Sequence, residues 1–289
     1  MMHSNSTSKY EILDSSNADS KKLEQYIIAH LFQTGVVWSD FNENSEKCKL
    51  LIVRQEGNQN ITGIVGISRL RPIPLVQFSL SPEILSRIIG QLDLPKHFIG
   101  FGCDTSLLEL LKPLYPALQV QFELFFTYNP SDKDPLQNSA HLHLSDPDDA
   151  TELSIEILKP AEYYKYFIFL GKPTDKYSND PRLENTYVLK IRNEIIGRIA
   201  IESIIGNQIF IQTPRISSKY RGQGLCAHFL TSVVPMLQEK YISIHVMTFE
   251  QDDRAVTCIK KSGFKNVARL ATLDTSGMFI NNQRNKIQK

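Results

Sequence analysis

Residues 217–230 read SSKYRGQGLCAHFL, and this stretch carries the most specific signal in the chain. Gly222 and Gly224 stand one residue apart behind Lys219 and Arg221, and an apolar run with helical spacing follows at once. A helix N-terminus has unsatisfied N–H groups and a partial positive charge. Glycines let an anion approach that backbone closely. The stretch therefore predicts a phosphate-binding turn, and a plain turn into a helix is the alternative.

The segments on either side of this turn predict an α/β domain. An alternating strand, QIFIQTPRIS, leads into it from Gln208, and the helix after it extends from Gly222 to about Tyr241. A strand, ISIHVMTF, and a short helix, DDRAVTCIKKSG, come next. Asp252 or Asp253 can cap that short helix. Further upstream, the acids of DPDDATELSIEIL are placed for the start of another helix.

Two hairpin-like segments indicate that the chain contains one architecture twice. ITGIVGIS from Ile61 and IIGRIAIE from Ile195 share the pattern Ile-x-Gly-x-x-x-Ile, and each follows an alternating apolar run. The alternative is that any two α/β halves share such patterns. In place of the glycine turn, the first half has RPIPLVQFSLSPEILSRIIGQL. We therefore predict that only the second half binds a phosphate group.

The domain boundary is predicted from composition. Residues 129–140, NPSDKDPLQNSA, are rich in Pro, Asp, Asn and Ser, as linkers are. We predict a disordered leader over residues 1–10, an N-terminal domain over 11–136 and a C-terminal domain over 137–289.

The overall composition is that of an ordinary globular protein. The chain is 289 residues long, 42% hydrophobic and 22% charged, with a net charge of +1. It has no basic stripe that would indicate nucleic-acid binding, no apolar run of membrane-spanning length, and a polar N-terminus unlike a signal peptide. We expect a cytoplasmic protein that binds neither nucleic acid nor membrane.

The cysteines and histidines predict no metal site. The four cysteines form no CxxC pair, so we expect free thiols in a reducing compartment. Cys226 and Cys258 are expected to pack as small apolar residues. His141 and His143 share a strand face in HLH, but no cysteine or acid stands at ligand spacing from them.

The second half resembles the GCN5-related N-acetyltransferases over about residues 138–272. The usual signature of that family at a strand-to-helix turn is Gln/Arg-x-x-Gly-x-Gly/Ala. Here the turn reads KYRGQG, with Lys219 in the first position.

A second element of that family follows the next strand as an Asn, an Ala, a Tyr and a final Gly-Phe. In DDRAVTCIKKSGF, Ala255 and the pair Gly263-Phe264 match this element. Asp252 replaces the Asn, and Ile259 stands where the Tyr is common. That Tyr often protonates the departing thiolate, so the general acid would have to be another group.

The resemblance implies an α/β fold with a mixed sheet, in two tandem domains of which the first is a degenerate copy. It implies an N-acyltransferase that takes acetyl-CoA or another acyl-CoA as co-substrate, and a small-molecule or protein amine as acceptor. Coenzyme A would lie along the turn and the strand before it. The residues that the resemblance assigns to coenzyme A are Ile216, Ser217, Lys219, Arg221, Gly222, Gln223, Gly224, Leu225, Cys226 and Asp252.

Three residues are candidates for proton transfer. Glu202 ends a predicted strand and is the first choice for a general base, acting directly or through water. His245 is near where the two central strands of this family separate, but a satisfied core histidine is the alternative. Tyr220, Ser217 or water could protonate the thiolate, or the thiolate could leave unaided.

Two other functions remain open on the sequence alone. The isoleucine in the Tyr position is compatible with a protein that binds acyl-CoA without turning it over. The glycine turn could also be purely structural in an interaction protein. A Cys-acyl intermediate is disfavoured because no His–acid pair stands beside Cys226 or Cys258.

Overall fold

A computed structural model describes residues 9–129, 152–171 and 181–276 of the chain. The chain divides into two units. The first extends to Glu123 and includes the residues from Arg269 onward, and the second extends from Leu124 to Ala268. By comparison, the boundary predicted from composition lies between residues 136 and 137, and the predicted second domain includes the residues from Arg269 onward. Residues 1–8 of the predicted leader and residues 130–140 of the predicted linker lie outside the described residues, as do His141 and His143.

The first unit is built on a sheet in which neighbouring strands of the chain pair with one another. Strands β1 to β4 pair antiparallel in chain order, and β4 pairs parallel with β5. The predicted β2–β3 hairpin is confirmed. The elements are β1 (Tyr10–Asp14), α1 (Ser20–Ala29), α2 (Leu31–Glu43), β2 (Cys48–Gln55), β3 (Ile61–Ser68), β4 (Leu75–Ser79), α3 (Pro82–Ile88), β5 (Ile99–Cys103) and α4 (Leu108–Leu111).

The second unit has a mixed sheet whose strand order is β6-β12-β10-β9-β8-β7. The pairs from β7 to β10 are antiparallel, β10 and β12 are parallel, and β11 pairs only with β9. The elements are β6 (Gln119–Tyr128), β7 (Leu153–Ile157), α5 (Tyr163–Leu170), β8 (Thr186–Ile191), β9 (Glu194–Ile205), β10 (Gln208–Ile211), β11 (Arg215–Ile216), α6 (Leu225–Gln238), β12 (Ser243–Phe249), α7 (Asp253–Lys261) and β13 (Lys265–Asp274).

The two unit boundaries fall inside strands. The first lies within β6, between Glu123 and Leu124, and the second lies within β13, between Ala268 and Arg269. In the first unit, β13 pairs antiparallel with β5, with Ala271 opposite Cys103. The part of β13 from Arg269 onward thus adds a strand to the sheet of the first unit.

Each face of the second sheet is covered by its own apolar cluster. Leu189, Ile216 and Val246 belong to the cluster that includes residues of α6 and α7, and we call this side the α6 face. Val188 and Ile195 pack with residues of α5 on the other side, which we call the α5 face. Because successive side chains of a strand alternate between faces, these clusters fix where every neighbouring side chain points.

One predicted helix in the second half is wrong. Leu153–Ile157, within DPDDATELSIEIL, forms β7, with Ile155 opposite Leu189 of β8. The alternation of apolar and polar residues in LSIEI suits a strand. The acids at 146, 148 and 149 lie outside the described residues. The prediction that Asp252 caps α7 is confirmed, since its side chain accepts a hydrogen bond from Ala255 N at 3.0 Å.

Among the described residues, no helix combines the length and the apolar character that crossing a membrane requires.

Candidate functional site

The glycine turn joins β11 to α6 through a single 3-10 turn, Ser218–Tyr220. Gly222 and Gly224 have φ angles of +81° and +80°, in the left-handed region where glycine is favoured. A Cβ atom built on Gly222 would find no heavy atom within 4 Å. The outer side of the turn is therefore open, and a bulky group can reach the backbone there.

Helix α6 begins without a side-chain cap. Its N-cap residue is Gly224, which has no side chain to cap the first N–H groups, and no acid occupies the first turn. By contrast, Ser81 caps α3 by accepting from Ile84 N at 3.3 Å, and Glu83 lies in that first turn. An uncapped N-terminus without acids keeps both its donors and its partial positive charge for a ligand.

Cationic and amide side chains surround the turn. Arg221 is exposed, and its Nε donates to the Ile216 carbonyl at 3.2 Å, which holds the loop closed. The Lys219 ammonium lies 4.9 Å from the centre of the Tyr220 ring and 3.2 Å from its hydroxyl. Gln223 Nε2 donates to the Lys219 carbonyl at 3.5 Å. The turn thus presents two cations beside the uncapped helix.

The two central strands separate just before the turn. Pairing between β10 and β12 ends at Ile211 and Val246, although β12 continues to Phe249. The chain of β10 then turns with β11, which pairs only with β9, and Ile216 lies opposite Gly197. A gap in main-chain pairing therefore opens between β11 and the end of β12.

The amide of Ile216 points into this gap. Ser217 N donates to the Ile196 carbonyl at 2.7 Å, so Ser217 and Ile196 form the hydrogen-bonded pair on β9. In an antiparallel ladder such pairs alternate with pairs that do not bond, and the Ile216–Gly197 pair is one of the latter. The Ile216 N–H is thus directed away from β9, on the side from which an extended ligand could pair with it.

The expectation of free thiols is wrong for two of the four cysteines. Cys226, in the first turn of α6, and Cys258 of α7 form a disulfide with a Cα–Cα distance of 6.0 Å. Cys48 and Cys103 are free and buried, as expected. The disulfide ties the start of α6 to α7, and it removes the observation on which the expectation of a reducing compartment rested.

Ile259, which stands where a tyrosine is common in the similar family, lies in the core. Ile259 is 0% exposed and belongs to the apolar cluster of the α6 face, together with Leu225 and Phe229. Apolar residues therefore surround this side chain, as they would any residue of the core. Asp252, assigned to coenzyme A from the resemblance, uses its carboxylate to cap α7.

Glu202 and Tyr220 lie in different environments. Glu202 is exposed and is the extra residue of a β-bulge in β9, where Ser203 pairs with Phe210 and Ile201 pairs with Ile211. Bulges re-aim side chains and are over-represented next to active sites. Tyr220 is 7% exposed and packs in the cluster of the α6 face.

His245 is a buried histidine with both ring nitrogens engaged. Thr127 Oγ1 lies 2.8 Å from Nδ1, and Gln208 Oε1 lies 2.8 Å from Nε2. The amide oxygen of Gln208 only accepts, so Nε2 carries the proton and Nδ1 accepts from the threonine. Burial lowers the pKa of His245 to about 4. This environment favours the satisfied core histidine over a general base.

The buried imidazole predicts a pH dependence of stability. Between pH 6.5 and about 4, His245 is protonated in the unfolded chain but remains neutral in the folded chain. The free energy of unfolding therefore decreases as the pH falls through this window. We expect a loss of about 2 kcal/mol from this residue between pH 7 and 5. Urea unfolding at both pH values should show a smaller loss for His245→Phe than for the wild type. Equal losses would contradict the assignment.

Two arginines that the sequence analysis did not consider lie beside the gap. Arg215 of β11 and Arg198 of β9 are directly opposite each other, and Val188 lies opposite Arg198 on β8. All three side chains therefore point to the α5 face. In the sequence, the signal that could have identified Arg198 was a cation inside the apolar run IIGRIAIE.

Among the described residues, no cluster of histidine, cysteine and acidic side chains could hold a metal ion.

Solved structures with a similar fold are numerous, although no family model and no curated protein matches the sequence. A Drosophila protein gives a TM-score of 0.63 at 12% identity, over 93% of this chain and 99% of that one. A tandem GCN5-related N-acetyltransferase (GNAT) protein from the clavulanic acid biosynthesis pathway gives 0.57 at 11%, over 93% and 99%. A GNAT-family acetyltransferase from Colwellia psychrerythraea gives 0.52 at 13%, over 92% and 99%.

These likenesses confirm the predicted fold class. The chain has the mixed α/β fold of the GNATs, and the two units form a tandem arrangement of it. At these identities the likeness concerns the fold alone, and function has to be argued from the site.

Proposed function

We propose that the second unit transfers an acyl group from acyl-CoA to an amine. The observation that carries this proposal is the start of α6, where an uncapped helix follows two left-handed glycines beside a gap between strands. A pyrophosphate needs converging N–H donors, nearby cations and space at the backbone, and the turn offers all three. Coenzyme A joins a pyrophosphate to an extended arm that ends in the acyl thioester, so it matches both the turn and the gap.

The pyrophosphate would lie against the first turn of α6. Gly222 leaves room for it, and the N–H groups of Leu225 and Cys226 are at the helix start where anions bind. Lys219, Arg221 and Gln223 are assigned to the same group as cationic and amide donors, a role that rests on their position around the turn.

The extended arm would pair with β11 as an added strand. The Ile216 N–H is directed into the gap, so it can donate to an acceptor on the arm. A donor at this point could polarise the thioester carbonyl and stabilise the oxyanion that forms during attack. Ser217 is the next residue and contributes its backbone N–H to β9 instead.

The proposed reaction is direct attack by the amine. The amine nitrogen forms a bond to the thioester carbon, the carbon–sulfur bond breaks, and the sulfur leaves as a thiolate with the bonding electron pair. Glu202, directly or through water, would take the proton that the amine loses, since its carboxylate lies exposed on the bulge. Water, Ser217 or Tyr220 would donate a proton to the thiolate, because the side chain of Ile259 has no acidic hydrogen.

Only the second unit is proposed to bind coenzyme A. In the first unit, the corresponding helix α3 is capped by Ser81 and carries Glu83 in its first turn. A capped N-terminus has fewer free donors, and a carboxylate there repels phosphate. The first unit is therefore proposed to be a degenerate copy that lacks a cofactor site of its own.

A second candidate function is binding of acyl-CoA without turnover. The observation that favours it is Ile259, fully buried where the family commonly has the tyrosine acid. A thiolate leaves without assistance more readily than an alkoxide would, since the pKa of a thiol is only about 8.5, so the missing hydroxyl does not by itself exclude catalysis.

Turnover separates the two candidates. Purified chain is incubated with acetyl-CoA and a panel of primary amines, and both the released thiol and the N-acetylated amine are quantified by mass spectrometry. We expect equimolar thiol and amide, and a rate that falls when Gly222 is replaced. Tight coenzyme A binding with no amide from any amine would favour the non-catalytic function.

A further inference from the structure

The arginine pair of Arg198 and Arg215 points to the chemical class of the acceptor. We propose that the acceptor amine carries an anionic group, and that this pair binds it; the inference rests on the proposed acyl transfer. Arg215 immediately precedes Ile216, whose amide is assigned to the thioester carbonyl. The guanidinium groups are therefore next to the point where the amine has to arrive.

The faces of the sheet determine the side from which an acceptor approaches. At the gap, the α6 face is filled by Ile211, Ile216 and Val246, which are each at most 7% exposed and belong to one apolar cluster. A polar amine cannot enter through this packed core. The acceptor must therefore reach the gap from the α5 face, toward which Arg198 and Arg215 point.

The position of Arg215 is defined by its neighbours. Its Cα pairs with that of Arg198, and its guanidinium lies 5.9 Å from the centre of the Phe169 ring on α5. Arg215 remains exposed despite this contact. No carboxylate among the described residues forms an ion pair with it, so none of them neutralises its charge. Arg198 is half-buried beside it and donates from Nη1 to Gln212 Oε1.

Electrostatics explain why this pair suits an anion. Like charges directly opposite on neighbouring strands destabilise a sheet, because their Cβ atoms are only about 5 Å apart. A carboxylate, sulfonate or phosphoryl group beside the two guanidinium groups would be attracted to both and could accept several charge-assisted hydrogen bonds. The same cations disfavour the charged form of a nearby ammonium, so more of the acceptor amine would be in the neutral form that attacks.

The test compares amines that differ only in their anionic group. Glycine, leucine and phenylalanine are each assayed beside their carboxamides, with taurine and phosphoethanolamine as sulfonate and phosphoryl probes, using acetyl-CoA and then octanoyl-CoA as donors. We expect at least one anionic amine to exceed its neutral counterpart in kcat/KM by about tenfold or more. Arg215→Gln should abolish this preference, because it lowers kcat/KM for the anionic amines more than for their neutral counterparts, and Arg215→Lys should retain part of it.

Matched controls separate the possible failures. Arg69 is an exposed arginine of the first unit, and Arg69→Gln removes the same charge from that unit instead, so it should leave the preference unchanged. If coenzyme A does not bind the wild-type chain, the proposed function itself fails. If it binds and amines react, the inference is overturned by equal use of neutral and anionic amines, or by equal effects of Arg215→Gln on both.

A binding measurement covers the case without turnover. If coenzyme A binds and no amine reacts, the same amines are titrated into the coenzyme A complex. Preferential binding of the anionic amines that is lost in Arg215→Gln supports the arginine site. Equal binding of anionic and neutral amines, or no binding of either, overturns it.

Discussion

Replacing Gly222 with valine is expected to weaken coenzyme A binding about a hundredfold, which corresponds to about 2.7 kcal/mol. The residue has φ +81°, and the space beside its Cα is open, so a branched side chain would stand where the pyrophosphate is proposed to lie. A β-branched residue is also strained at positive φ, and relief of that strain would turn the helix N–H groups away from the ligand. Isothermal titration calorimetry with coenzyme A measures the change.

Gly57 provides the matched control for this substitution. It has φ +78°, and a Cβ built on it also finds no heavy atom within 4 Å, but it belongs to the turn between β2 and β3 of the first unit. Gly57→Val should therefore cost a similar amount of folding stability and leave coenzyme A affinity unchanged. Equal affinity in Gly57→Val and a folded Gly222→Val would contradict the assignment of the turn.

Removing the Cys226–Cys258 disulfide is expected to lower the free energy of unfolding by about 4 kcal/mol. The two cysteines are 32 residues apart. A crosslink that closes a loop of this length lowers the entropy of the unfolded chain, and this raises the free energy of unfolding by about 4 kcal/mol. The double variant Cys226→Ala/Cys258→Ala should also bind coenzyme A more weakly, because Cys226 is in the first turn of α6. Chemical denaturation without reductant gives the stability change.

Reductant separates the disulfide from other effects of the substitutions. The wild type should lose stability when a reductant is added, whereas the double variant should be insensitive to it. Thiol titration of the denatured wild type should find two free cysteines, Cys48 and Cys103, and four after reduction. Four thiols without reductant would refute the crosslink.

The glycine turn was predictable because its signals are local. The positive φ angles at Gly222 and Gly224 and the cap at Asp252 depend on residues within a few positions, and single residue types satisfy them. The β2–β3 and β8–β9 hairpins were predictable for the same reason, since alternation and a polar turn specify them.

The features that the sequence did not predict depend on distant contacts. Nothing near Cys226 indicates that Cys258 lies within bonding distance, because the packing of α6 against α7 brings them together. The return of β13 to the first unit likewise requires pairing of Ala271 with Cys103. Arg215 became a candidate only when the register placed it opposite Arg198.

The number of coenzyme A molecules bound by the full chain tests the central claim most directly. The claim is that the uncapped start of α6 binds the pyrophosphate and that the capped start of α3, with Ser81 and Glu83, does not. Calorimetric titration of the wild-type chain should give one site per chain, with a Kd on the order of micromolar. Two sites per chain, or no binding at millimolar coenzyme A, would contradict the account.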